Sequence, residues 1–271
     1  MTSRTEDFTS QVVLVTGGTR GIGRAIAGAF LEAGATVIVC GRTAPDSALT
    51  AGDHKASFLP ADIRDPAEVE SLIATVERRH GRLDILVNNA GGSPAVDPAT
   101  ASPRFSDAII RLNLVAPLIV SQAAYRLMGR QEGGGVILNI SSISAMRPSP
   151  TTAAYAAAKA GLLNLTSSLA VAWAPKVRVN AIVAGTIRTE QIDLHYDEEG
   201  IRRMQSVIPA GRLGEPDEVA AACLFLASPR AAYVSGATLA VHGGGERPSY
   251  LDAATDTPPG AQMPKSGGRH D

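Results

Sequence analysis

Val12-Val13-Leu14-Val15-Thr16-Gly17-Gly18-Thr19-Arg20-Gly21-Ile22-Gly23 decides the fold. A β-branched run breaks into a glycine-rich turn, and the turn opens an apolar helix through Ile22, Ala25, Ile26, Ala29 and Phe30. A short apolar strand leading directly into a helix is the unit from which parallel sheets are wound. At such a turn Gly17, Gly21 and Gly23, with Thr19, Arg20 and Ile22 between them, let the backbone approach a pyrophosphate. The helix N-terminus adds amide donors and the positive end of its dipole. The strand before and the helix after distinguish this stretch from a tight turn that binds nothing.

Outward from this turn the same alternation repeats. Strands are expected at Val12–Thr16, Thr36–Cys40, Ala56–Leu59, Ile85–Asn88, Val136–Ile140, Val177–Ala181 and Thr238–Val241, and helices near 22–33, 66–79, 103–128, 153–173 and 216–227. Pro66 and Pro216, each followed by acids, mark two helix starts. Seven strands in this rhythm predict an α/β fold, a doubly wound parallel sheet with helices on both faces. Residues 186–213 interrupt the rhythm with a long polar excursion, expected to be a lid or loop over a substrate. The chain therefore divides into an N-terminal extension (1–10), one catalytic domain (11–245) and a Pro- and Gly-rich tail (246–271) read as flexible and outside the core.

Composition sets limits on function. With 25 basic and 26 acidic residues there is no global field to draw in nucleic acid or an anionic membrane. Cys40 and Cys223 lie far apart in apolar segments and read as reduced, buried thiols. The five histidines show no metal-ligand spacing, so no metal site is expected. The polar start of the chain does not resemble a signal peptide, and no run of about 18 uninterrupted apolar residues suggests a membrane span. A cytoplasmic protein is expected.

At the end of the second strand, where a carboxylate often holds the adenosine ribose of a dinucleotide, the chain reads Cys40-Gly41-Arg42-Thr43. Arg42 is placed to pair with a 2′-phosphate, and Arg20 adds a second cation on the same side. NADP(H) is favoured, with NAD(H) as the alternative. Asp62, followed by Ile63 after the third strand, is a candidate to accept from the adenine amino group or to cap the following turn.

Tyr155 and Lys159 stand four residues apart in an Ala-rich helical stretch and so share one face. A tyrosine titrates near pH ~10, and a fixed cation beside it favours the phenolate. The pair is a candidate proton donor with its tuning charge.

Together these segments resemble the short-chain dehydrogenase/reductase family, from about Val12 to Gly245. The resemblance rests on the glycine turn, Asp62, Asn88-Asn89-Ala90-Gly91, Asn113, Ile140-Ser141-Ser142, Tyr155-x-x-x-Lys159, Ser235-Gly236-Ala237 and Gly243-Gly244. It implies a seven-stranded Rossmann sheet, a nicotinamide dinucleotide and a catalytic set that falls on Asn113, Ser142, Tyr155 and Lys159. Ser141 and Ser144 also lie near the strand end; Ser142 is chosen because it precedes the tyrosine by the usual interval of the family. In the reducing direction Tyr155 would give its proton to the developing alkoxide and Ser142 would donate to the same oxygen. Lys159 would lower the tyrosine pKa and hold the nicotinamide ribose.

By the same resemblance Asn113 would hold a proton-relay water, the alternative being a buried amide bonded to nearby backbone. The Asn89-Ala90-Gly91 turn would let cofactor approach. Ile187 and Thr189, beyond Gly185, resemble the segment that meets the nicotinamide carboxamide. Dimers or tetramers are also implied.

Three departures stand out: Ala184-Gly185 where the family commonly has Pro-Gly, His242 where an aspartate is usual, and a tail after Gly245 longer than the fold needs, read either as a cover for a neighbouring subunit or as disordered. The expected reaction is interconversion of a small-molecule ketone and secondary alcohol. Ser93–Asp97, Ser144–Pro150 and residues 186–206 are the candidate specificity segments. Their apolar members suit a bulky ketone such as a 3-oxoacyl thioester, a steroid, a polyketide or an aromatic ketone. The rival readings are an NAD-dependent alcohol dehydrogenase and a dinucleotide sensor without catalysis.

Overall fold

The computed structural model describes residues 7–250. The tail beyond 250 and the first six residues, both assigned above to segments outside the core, lie outside that range. In chain order the elements are β1 (Val12–Thr16), α1 (Gly21–Glu32), β2 (Thr36–Gly41), a small hairpin of β3 (Thr50–Ala51) and β4 (His54–Lys55), β5 (Ser57–Pro60), α2 (Pro66–His80), β6 (Ile85–Asn88), α3 (Pro103–Ile110), a π-helical turn (Arg111–Val115), α4 (Ala116–Met128) and β7 (Gly135–Ser142). After these come α5 (Ala153–Trp173), β8 (Val177–Ala184), α6 (Glu190–His195), α7 (Glu198–Val207), α8 (Pro216–Ala227) and β9 (Thr238–Val241).

Seven strands form one parallel sheet in the order β5-β2-β1-β6-β7-β8-β9. Successive crossovers run outward from β1 in one direction to β5, then restart on its other side at β6. That reversal opens a crevice beyond the carboxyl ends of β1 and β6, where open α/β sheets bind ligands.

Side-chain alternation assigns the two faces of the core. Val13 and Val15 of β1 pack with Ile26, Phe30, Val219 and Cys223 in the layer of α1 and α8, whereas Leu14 packs with Leu72, Val76, Val120 and Leu127 in the layer of α2 and α4. Each such side chain, fully removed from water, contributes about 1.5–3 kcal/mol. Local signals agree with this packing. Pro66 opens α2 behind an Asp65 side chain that accepts from Ala67 N at 2.8 Å, and Gly81 closes it in the left-handed region at φ 72°.

The structure departs from the sequence reading in several places. β7 and β8 continue through Ser142 and Ala184, because polar Ser141 and Ser142 stay in the ladder after the apolar run ends. The expected helix 103–128 runs through without a break but widens into a π-helical turn at Arg111–Val115. The excursion 186–213 contains two helices, α6 and α7. Phe8, counted above with an extension, is 1% exposed and meets Phe30 edge to face at 5.0 Å. Finally, Pro103–Met128 is long and apolar enough to cross a membrane by length and composition, which a count of uninterrupted apolar residues misses. Its buried residues Val120, Ala123 and Leu127 belong to the core under the sheet.

Candidate active site

A cleft of about 760 Å³ lies along the carboxyl ends of the central strands. Its walls gather almost every residue expected to bind cofactor. Gly17, Thr19, Arg20, Gly21, Ile22 and Gly23 form one side, Arg42, Asp62 and Ile63 one end, and Asn89, Ala90 and Gly91 the floor. Ser142, Tyr155, Lys159, Gly185 and Thr189 form the other end. Asn113 and Ile187 are not on the surface of the cleft: both are buried, at 0% and 6% exposure.

The glycine turn is held from beneath. Gly17 and Gly21 take left-handed φ values of 64° and 51°, which a side chain would strain. A Cβ on Gly23 would stand 2.3 Å from Gly17 O and 2.4 Å from Asn89 Nδ2, so only glycine fits. Asn89 braces the turn from the floor, donating from Nδ2 to Thr16 O at 3.0 Å and Gly17 O at 3.1 Å. Thr16 Oγ1 completes the clasp by accepting from Asn89 N and Ala90 N at 3.0 and 3.1 Å. The family resemblance gives the Asn88–Gly91 segment a role in stabilising the sheet, and Asn89 does so by bracing the glycine turn. Arg20, extended at the N-cap of α1, makes no side-chain cap, and the first turn carries no acid. The amides and dipole of α1 therefore face the cleft, and glycine-only backbone beside them fits the pyrophosphate of a dinucleotide.

At the adenosine end Arg42 and Arg20 both line the wall, as expected. Asp62 behaves differently. Its carboxylate is forked onto Arg64, which donates from Nε to Oδ1 at 2.9 Å and to Oδ2 at 3.1 Å, while Arg64 N also donates to Oδ1 at 3.0 Å. The Arg64 guanidinium holds the Asp62 carboxyl down to about 2, with a smaller contribution from Arg42. Asp62 thus takes the turn-capping role through a partner, Arg64, that the sequence reading overlooked; only its spacing of two from a carboxylate hinted at it.

At the opposite end β7 delivers Ser142 and α5 delivers Tyr155 and Lys159. Ser142 lies beside the tyrosine hydroxyl, where its own hydroxyl favours the phenolate. Burial outweighs it, so the Tyr155 pKa is raised rather than lowered as expected. Lys159 Nζ, 5.7 Å from the centre of the phenol ring, donates to Ile140 O at 2.8 Å. Burial depresses its pKa to about 8. The expected tuning is therefore not what dominates in the protein alone: desolvation moves both groups towards their neutral forms. Ser141 donates to Lys159 O at 3.1 Å and Ser144 N donates to Ser142 Oγ at 3.2 Å, and of the three serines Ser142 is the one that bears on the Tyr155 pKa.

Asn113 sits in the π-helical turn. Its Oδ1 accepts from Gly92 N at 2.9 Å, and its Nδ2 donates to Gly92 O and Ile109 O at 3.0 and 2.9 Å. The side chain is committed to backbone, which was the alternative reading. It also limits the floor, since a Cβ on Gly91 would meet Asn113 Oδ1 at 2.5 Å and Lys159 Nζ at 3.2 Å.

Beyond β8, Ile187 enters the core and its segment pairs with Gly214: Arg188 N donates to Gly214 O at 2.7 Å and Gly214 N to Thr186 O at 3.0 Å. Gly185 N donates to Val241 O at 2.9 Å, and a Cβ there would lie 2.7 Å from the His242 backbone. His242 thus flanks this glycine. The far end of α7 is tied to the chain after β9 by Ala210 N to Gly243 O at 2.9 Å and Arg247 N to Val207 O at 2.7 Å. Arg147, in the segment after Ser142, pairs with Glu246 at 2.6 Å.

The chain is similar to known proteins over most of its length. Residues 17–246 match a family model described as enoyl-(acyl carrier protein) reductase. The chain is 40% identical over 242 residues to a 3alpha-hydroxysteroid dehydrogenase of Mediterraneibacter gnavus, covering 86% of this chain and 96% of the relative. It is 40% identical over 247 residues to an L-rhamnose 1-dehydrogenase (NAD(P)(+)) of Azotobacter vinelandii, again covering 86% and 96%. Among solved structures, the ligand-free aldohexose dehydrogenase of Thermoplasma acidophilum matches with a TM-score of 0.82 at 32% identity, covering 94% of this chain and 99% of that one.

Proposed function

Because the chain belongs to the short-chain dehydrogenase/reductase family, we propose that it is an NADP(H)-dependent oxidoreductase interconverting a ketone and a secondary alcohol, with Tyr155 as its acid and base. The observation that carries this reading is the convergence of Ser142, Tyr155 and Lys159 at one end of a cleft whose other end combines a glycine turn with Arg20 and Arg42. A nicotinamide dinucleotide held along that cleft supplies or accepts the hydride.

The chain's own residues handle the proton and the oxygen. Tyr155, kept protonated by burial, donates from its hydroxyl to the carbonyl oxygen as the alkoxide develops. Ser142 donates to the same oxygen and fixes its position. Lys159, a cation below about pH 8, stabilises the phenolate that remains. Asn113 acts from beneath, by holding Gly92 and the floor against which Lys159 rests.

The substrate is a bulky apolar ketone, consistent with exposed Met146, Leu194 and Tyr196 on the segments that flank this end. The 3alpha-hydroxysteroid dehydrogenase relative supports this class. NAD(H)-dependent oxidation of an alcohol is the second reading, favoured by the dual cofactor in the name of the rhamnose relative. The chain works as a dimer or tetramer, which gel filtration tests.

The decisive experiment follows loss of NADPH or NADH absorbance with 3-oxoacyl thioesters, steroid ketones and aromatic ketones, with Tyr155→Phe alongside. Turnover with NADPH that Tyr155→Phe abolishes supports the reading. Equal turnover by Tyr155→Phe refutes the acid assignment, and Arg42→Asp that still prefers NADPH refutes the role of Arg42.

A further inference from the structure

Arg64 borders the same wall of the cleft as Arg20 and Arg42, and no sequence motif points to it. Its position is built, not incidental. The guanidinium is forked on Asp62, and its own carbonyl accepts from Arg111 Nε and Nη2 at 3.2 and 2.8 Å, which fastens it to the π-helical turn. The other end of the segment is fastened too, by Asp62 N donating to Glu68 Oε2 at 2.7 Å and Asp65 N to Asp62 O at 2.9 Å. Arg64 remains 37% exposed, its partner 25%.

The charges along this wall conflict without Arg64. Arg20 and Arg42 suit a phosphate dianion, but Asp62 is an anion on the same wall, close enough to Arg42 to feel its charge. An uncancelled carboxylate would offset one of the two arginines. With Arg64 forked upon it the carboxylate is neutralised locally, and two positive charges are left for the ligand.

We propose that Arg64 is a specificity-determining residue for a 2′-phosphorylated adenosine, acting by neutralising Asp62 so that Arg20 and Arg42 attract the phosphate in full. The proposal rests on the NADP(H) reading above. It concerns charge on the wall, not contact of Arg64 with the phosphate.

The test measures binding alone, by calorimetric titration of the full chain with 2′,5′-ADP and with 5′-AMP, reading the ratio of the two dissociation constants. Changes in the adenine contact cancel in that ratio. The wild-type protein is expected to bind 2′,5′-ADP more tightly, and Arg64→Gln to reduce that preference about five- to tenfold, the effect of one unit charge at a partly exposed site. The loss should shrink as salt is raised. Arg64→Lys, which keeps the charge without the fork, is expected to hold the ratio within about twofold of wild type, and Asp62→Asn combined with Arg64→Gln to recover it.

An unchanged ratio in Arg64→Gln overturns the proposal, as does failure of the double variant to recover or an Arg64→Lys protein that behaves like Arg64→Gln. A wild-type protein that binds both probes equally overturns the NADP(H) reading itself. That result is distinguishable because it needs no variant.

Discussion

Lys159→Met should yield a protein that is more stable than the wild type and catalytically dead. Lys159 is 3% exposed, and burial takes its pKa from 10.5 to about 8. That difference corresponds to about 3 kcal/mol against the charged form, at about 1.4 kcal/mol for each pH unit. Methionine fills a similar volume without charge, but it leaves Ile140 O without the amine that donates to it at 2.8 Å, a loss of about 1 kcal/mol. The net gain at pH 7 is about 2 kcal/mol, or a melting temperature higher by roughly 4–8 °C.

The pH dependence identifies the cause. Between about 8 and 10.5 the unfolded chain keeps the lysine proton and the folded chain has given it up, so the unfolded state binds more protons and raising the pH favours folding. Below about 8 both states hold the proton, and the cost of burying it is fully present. Wild-type stability should therefore gain up to about 3 kcal/mol across that window relative to Lys159→Met, in melts run at matched pH from 6.5 to 10.5. Equal melting temperatures at pH 7 together with parallel pH profiles would refute the claim that the active-site lysine is held at the expense of stability.

Three further outcomes test neighbouring claims. Ser142→Ala should lower kcat about 10²-fold with little change in KM, measured by steady-state reduction of a responsive ketone, because the lost donor acts on the developing oxyanion. Gly91→Ala should lower stability by about 1–3 kcal/mol in a denaturant melt and impair turnover, since the new methyl must displace Asn113 Oδ1 or Lys159 Nζ. Phe8→Ala should destabilise by about 3–5 kcal/mol in the same melt, because Phe8 is buried against Phe30; a loss under 1 kcal/mol would show that this segment is outside the core.

The sequence was most legible where backbone geometry dictates residue type. Gly17, Gly21 and Gly23 stand where left-handed φ values or a 2.3 Å approach admit nothing larger, so their spacing alone located the turn and the first crossover. Tyr155 and Lys159 were legible because four residues on a helix fix a shared face. Interactions between distant or chemically ambiguous partners were not. An asparagine has the same pattern whether its amide faces a ligand or a neighbouring strand, so Asn89 and Asn113 could be located but not oriented. The fork between Asp62 and Arg64 depends on the local turn of the backbone, and α7 reads as part of a polar excursion because charged residues such as Glu198, Glu199, Arg202 and Arg203 dominate its composition, although its apolar residues keep a helical period. The tyrosine pKa went the wrong way because a spacing argument counts charges and has no measure of desolvation, which here is the larger effect.

The arc made by α6 and α7 is fastened at both feet, to Gly214 at its start and to the backbone of Gly243 and Arg247 at its finish. Among the described residues, Ser142, Tyr155 and Lys159 come from β7 and α5 and not from this arc. The span between the feet therefore carries none of the candidate proton-handling side chains. Exchanging residues 192–206 leaves Ser142, Tyr155 and Lys159 in place, because β7 and α5 hold them independently of the arc. An engineer seeking a new ketone should randomise that span first and leave both feet as they are.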